Sequence, residues 1–109
     1  MVKLDERQIE ALENAGARRW TKGDHDRLYI NAEELGLEYE RYNTGNVRSA
    51  TWCGNRISNA DARRLMAGKA YVDVATGELH VRTDFTVSDI FDMPSVEERA
   101  RVFVDAALA

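Results

Sequence analysis

Apolar residues recur every three or four positions near both ends of the chain and every second position through much of its middle. Ile9, Leu12 and Ala15 fall on one helical face. Ahead of them, Leu4 with Ile9 forms a hydrophobic staple and Asp5 with Gln8 a capping box, which predicts a helix that begins after Asp5. Gly16 supplies its left-handed stop. Val96, Ala100, Phe103, Val104 and Ala107 make a second stripe, opened by Pro94 and a Ser95–Glu98 capping box. A further helix is predicted over residues 60–67, capped by Ser58 or Asn59 and stopped by Gly68. Asn31, Glu34 and Gly36, with Ile30 and Leu35 as a staple, predict a very short one.

Between these helices the pattern is that of strands. Residues 17–20 and 27–30 flank the polar stretch Thr21 to Asp26, where Gly23 suits a turn, and together predict a hairpin. Residues 37–42 alternate apolar and polar, residues 43–46 turn, and residues 47–52 return. Cys53, Gly54 and Asn55 form another turn, with Arg56 and Ile57 closing a small hairpin. Residues 69–74 and 78–83 predict a last hairpin about Ala75, Thr76 and Gly77. The expected fold is α+β: a small, mainly antiparallel sheet built from hairpins, with a helix at each terminus and one or two helices between strands. No linker or repeat divides the chain, so residues 1–109 read as one domain. Its core should contain Ile9, Leu12, Leu28, Ile30, Leu65, Val72, Val74, Phe103 and Val104.

Composition adds little to this picture. With 44% hydrophobic and 31% charged residues the chain is an ordinary globule, long enough to hold a core without staples. Cys53 is the single cysteine, so no intramolecular disulfide forms and a reducing compartment is expected. The first 15 residues lack the apolar stretch of a signal peptide, and no run of about 18 apolar residues spans a membrane. A cytoplasmic protein without membrane contact is the expectation.

Charge changes it more. The net charge is -4, but it is unevenly spread. Residues 1–40 carry six basic and ten acidic side chains, residues 41–71 six basic and one acidic, and residues 72–109 three basic and eight acidic. In the basic middle, Arg41, Tyr42, Arg48, Trp52 and Arg56 mix cations with aromatic rings on neighbouring strands, and Arg63 and Arg64 follow on the next helix. That mixture is what nucleic-acid contacts need. Arg18, Arg19 and Lys22 join it only if the first hairpin packs alongside. Strand alternation puts Tyr39 and Arg41 on one face and Glu40 and Tyr42 on the other. Two acidic sets flank this segment: Glu33, Glu34, Glu38 and Glu40, then Asp84, Asp89, Asp92, Glu97 and Glu98. Either could steer the protein into a strongly basic surface.

Catalytic chemistry finds no support in the spacing. His25 lies between Asp24 and Asp26, but on a turn where solvent screens the three groups; the hairpin tip is expected to be exposed and to carry no catalytic group. Trp20, Leu28 and Ile30 are expected to hold that hairpin in place. His80 has no partner nearby, and two scattered histidines with one cysteine do not make a metal site. Cys53 lacks a neighbouring histidine or helix start to activate it. No glycine-rich phosphate loop is present. The expectation is a protein with no catalytic residue, no cofactor and no metal.

The segments RRWTKGDHDRLYINAEELGL, YNTGN, NRISNADARR and KAYVDVATGEL, spread over residues 18–79, resemble small single-domain proteins of phages and other bacterial mobile elements. Small α+β proteins of such elements include the anti-CRISPR inhibitors, some of which imitate nucleic acid with rows of carboxylates. The resemblance implies a non-enzymatic inhibitor or adaptor that binds a host protein, with a CRISPR–Cas effector as the candidate partner. Charge alone then nominates Glu33, Glu34, Glu38, Glu40, Asp89, Asp92, Glu97 and Glu98 as contacts. The alternative is a nucleic-acid-binding accessory protein that uses residues 41–69, through Arg41, Arg48, Arg56, Arg63 and Arg64.

Overall fold

The structure is a computed structural model and describes residues 2–82 and 93–109. The elements run α1 (Glu6–Ala15), β1 (Arg18–Lys22), β2 (His25–Ile30), α2 (Ala32–Leu35), β3 (Leu37–Arg41), β4 (Val47–Trp52), β5 (Asn55–Ile57), α3 (Asn59–Ala67), β6 (Lys69–Asp73), β7 (Leu79–Arg82) and α4 (Val96–Leu108). The α+β class and the antiparallel pairing agree with the sequence reading. The strands are divided between two sheets, one of four strands in the order β1-β2-β6-β7 and one of three in the order β3-β4-β5. Asp89 and Asp92, together with Asp84, lie outside the described residues.

Local chemistry explains most element ends. The Asp5 carboxylate accepts from the Gln8 backbone N–H at 2.8 Å, and the Gln8 side chain accepts from the Asp5 N–H at 3.1 Å. This reciprocal pair satisfies two donors that a helix start otherwise leaves open. Ser95 and Glu98 do the same for α4. Two expected devices differ. Asn31 makes no side-chain cap; instead the Glu34 N–H donates to the Asn31 carbonyl, since four residues close only one turn. Gly68 ends α3 in an extended conformation, with φ at -67°, because the chain passes straight into β6.

The core lies between the two sheets, under α1, α3 and α4. Trp52, Leu12, Leu28, Leu35, Leu37 and Val72 are its largest fully enclosed side chains. Each such leucine contributes about 1.5–3 kcal/mol by leaving water. The expected core residues Ile9, Leu12, Leu28, Ile30, Leu65, Val72 and Val74 are all buried. Phe103 and Val104 are only half-buried: α4 lies at the rim, and Ala100 is its one fully buried position. Two polar ties seat α4. The Trp52 indole N–H donates to the Pro94 carbonyl at 2.8 Å, and Arg99 Nε to the Leu35 carbonyl at 2.8 Å. Among the described residues, no helix is long and apolar enough to cross a membrane.

Candidate functional site

Strand alternation sorts each sheet into a covered and an open face. In the four-stranded sheet Leu28 and Ile30 of β2 and Ala70 and Val72 of β6 face the core. The residues between them therefore face out. Register places Arg18, Tyr29, Tyr71 and His80 in one row across all four strands, with Trp20, Arg27 and Asp73 in the next. Lys22 and His25 pair beside the turn, where Gly23, at φ 58°, takes the first position of a two-residue loop.

The rings in these rows touch in series. Trp20 meets His25 at 6.4 Å and Tyr29 edge-on at 6.1 Å between centroids. Tyr29 meets Tyr71 at 5.4 Å, and Tyr71 stacks on His80 at 5.0 Å. Arg27 binds the series together, its guanidinium carbon 4.4 Å from the Tyr71 ring centroid and 5.9 Å from that of Trp20. Its Nη1 donates to the Tyr29 hydroxyl at 3.1 Å, and Nη2 lies 3.5 Å from His25 Nδ1. That hydrogen bond to Tyr29, more than any other influence, raises the Arg27 pKa further. The cover over Tyr71 leaves it only 8% exposed although it is on the outer face, whereas Trp20 is 40% exposed.

The same hairpin treats its arginines in two ways. Arg19 points to the covered side, where Nε and Nη2 grip both Asp26 oxygens at 3.0 and 2.8 Å. This two-pronged bond holds the Asp26 carboxyl below the usual carboxylate range. Arg18, Lys22, Arg27 and Lys69 belong to the open face, and none of them makes an ion pair among the described residues. The acids beside these rows are Asp73, whose Oδ1 is engaged by the Ala75 N–H at 2.9 Å, and Glu78, whose Oε2 lies 3.8 Å from His80 Nε2. The open face is therefore cationic as well as aromatic. Its cations span the sheet, since Lys22 and Lys69 stand about 20 Å apart along the strand direction at ~3.4 Å per residue.

The charged sets read from the sequence are dispersed by the fold. Arg41 folds over Tyr39 at 4.9 Å and donates to the Gly45 carbonyl at 2.6 Å, so it serves the β3–β4 turn. A register shift after Glu40 pairs Arg41 with Val47 and leaves Arg48 as an extra residue. Arg48 and Arg56 line the outer face of the three-stranded sheet with Glu40 and Tyr42. Arg63 and Arg64 are exposed on α3, which packs on the other side of that sheet. Trp52, expected beside these arginines, is fully buried. The five arginines thus form no common surface.

Among the glutamates, Glu33 accepts from the Tyr39 hydroxyl at 3.2 Å. Glu34 lies against Gly16 near α4, and Glu38 and Glu40 share the outer face of the small sheet. Glu97 pairs with Arg101 at 3.1 Å, and Glu98 is spent in its capping box. Cys53 lies at a turn with its thiol pKa raised by burial, and no group of three or more His, Cys, Asp or Glu among the described residues is placed to hold a metal ion.

No protein family, curated protein or solved structure matches this chain. The functional reading rests on its own geometry. The open face was hidden in the sequence for a plain reason. Its residues come from the first hairpin and from residues 69–80, and only the pairing of β2 with β6 joins them. One signal was present: Arg18, Trp20 and Lys22, then His25, Arg27 and Tyr29, occupy alternate positions on either side of a two-residue turn.

Proposed function

We propose that this is a non-enzymatic, cytoplasmic nucleic-acid-binding protein whose contact surface is the open face of the four-stranded sheet. One observation carries the reading: a continuous series of rings, from Trp20 through Tyr29 and Tyr71 to His80, lies among four cations that make no ion pair among the described residues. Cations of this kind hold phosphates, and exposed rings accept bases. The net charge of -4 does not by itself oppose it, because a charge acts over about a Debye length, roughly 8–10 Å.

The test is equilibrium binding to labelled oligonucleotides at several salt concentrations. Four phosphate contacts give a slope of log K against log salt of about -3 to -4. Lys22→Glu and Lys69→Glu should weaken binding and flatten that slope. Arg48→Glu and Arg56→Glu, on the other sheet, should leave it unchanged. Salt-independent binding, or loss only in the Arg48 and Arg56 variants, refutes the assignment.

A second reading is supported by Glu38 and Glu40. Their positions are about 6.8 Å apart along β3 on an open face, and neither makes an ion pair among the described residues. Two such charges suit an inhibitor that occupies the basic channel of a host CRISPR–Cas effector. Inhibition of an effector's cleavage that disappears in Glu38→Lys/Glu40→Lys would support it; inhibition indifferent to both changes would remove it.

A further inference from the structure

Resting on the nucleic-acid reading above, we infer that the open face takes a single strand, with bases stacked on Trp20 and His80. These two rings are open to solvent on the outer strands, as His25 is beside the turn, whereas Tyr71 is covered. Trp20 is 40% exposed and the His80 side chain 42%, while Tyr71 between them is 8% exposed beneath Arg27. Tyr71, Tyr29 and Arg27 are positioning residues: they fix the tilt of the outer rings and offer little free surface themselves. Trp20 and His80 belong to the two edge strands, β1 and β7, three strand spacings or about 14 Å apart. A strand crossing the sheet obliquely, offset by two residues or about 7 Å along the strands, would meet both.

The chemistry favours unpaired bases. A duplex keeps its bases stacked on one another, so an outward-facing ring gains nothing from it. Reading a duplex needs an element narrow enough for the major groove, such as a helix or a two-stranded ribbon. Here the rings lie across four strands, away from the hairpin tip at Gly23 and Asp24. Stacking on aromatic side chains accepts any base, so the preference is for strandedness rather than sequence.

Fluorescence anisotropy with a labelled deoxythymidine dodecamer, a uridine dodecamer and a mixed-sequence duplex of equal length, all at low salt, tests this. Single strands should bind at least about tenfold more tightly than the duplex. Trp20→Ala and His80→Ala should each lose about 5- to 150-fold, and Trp20→Phe, which keeps a stacking face, should retain most of the affinity. Bound single strands should also quench tryptophan fluorescence in the natural protein but not in Trp20→Phe, where only the enclosed Trp52 remains. Equal or tighter duplex binding overturns the inference while leaving the nucleic-acid reading intact. So does a Trp20→Ala variant of full affinity when Lys22→Glu still weakens binding. Failure to bind any of the three oligonucleotides removes the reading itself.

Discussion

The two tryptophans should separate stability from binding. Trp52 is 0% exposed, packed in the seam between the sheets with Ile30, Leu35, Leu65 and Val96, and its indole N–H meets the Pro94 carbonyl at 2.8 Å. Trp52→Phe removes that hydrogen bond, worth about 1 kcal/mol, and leaves the carbonyl short of a partner. It also trims the buried ring, for a further cost of about 1–2 kcal/mol in lost contacts and incomplete collapse. The sum is about 2–3 kcal/mol, or a fall in Tm of about 10 °C for a domain of this size. Trp20→Ala removes a ring 40% open to water and its contacts with His25 and Tyr29, and should cost about 1 kcal/mol at most. Urea unfolding followed by far-UV circular dichroism measures both, with an unchanged m value showing that the unfolded state is comparable. Binding should run in the opposite order, lost in Trp20→Ala and kept in folded Trp52→Phe. A cost below about 1 kcal/mol for Trp52→Phe, or an equal cost for the two changes, would refute the assignment of one tryptophan to the core and the other to the surface.

Gly77 has φ 73°, and a Cβ there would collide with the Val2 carbonyl, so Gly77→Ala should cost more than the ~1–2 kcal/mol of left-handed strain alone. Gly45→Ala, at φ 89° in open space, should show that strain by itself, and urea midpoints for the pair give the difference. Asp5→Ala should cost about 1 kcal/mol by uncapping α1, visible as faster amide exchange in its first turn. Arg19 lowers the folded pKa of Asp26 below the unfolded value of about 3.9; the linked stabilisation is therefore present above about pH 4 and lost as pH falls through the folded value. Side-chain NMR titration should find Asp26 below the ordinary range, and Arg19→Met should return it there. Burial raises the Cys53 pKa, so its alkylation at pH 8 should be slower than that of a free thiol and should speed up in denaturant.

What the sequence disclosed and what it hid divide along the range of the interactions. The capping boxes of α1 and α4, the two hairpins of the larger sheet and most of the core were legible because each is written within about ten residues. Sheet membership was not. Alternation says that β2 and β6 are both half-buried strands, but Leu28 meets Val72 only after the chain has made α2, the small sheet and α3 in between. The same distance misled the reading of the basic middle. Arg48 and Arg56 do share the outer face of the small sheet, but Arg41 wraps onto Gly45, and Arg63 and Arg64 are carried by α3. Trp20 and Trp52 each stand among cations in the sequence, and nothing local told the edge strand from the central one.

Net charge was the weakest guide of all, for a physical reason. A ligand near the surface feels charges within about a Debye length, roughly 8–10 Å, far less than the molecule's 40 Å length. The total of -4 therefore says little about any one face. Asp26, the nearest acid to the ring series on β2, is turned to the covered side and held there by Arg19. Arg27, one residue on, is laid against tyrosine, with Asp73 as its cross-strand neighbour but no ion pair among the described residues. Its guanidinium is stacked on Tyr71 rather than gripped by a carboxylate, and so stays part of the positive, aromatic surface proposed above for a nucleic-acid strand.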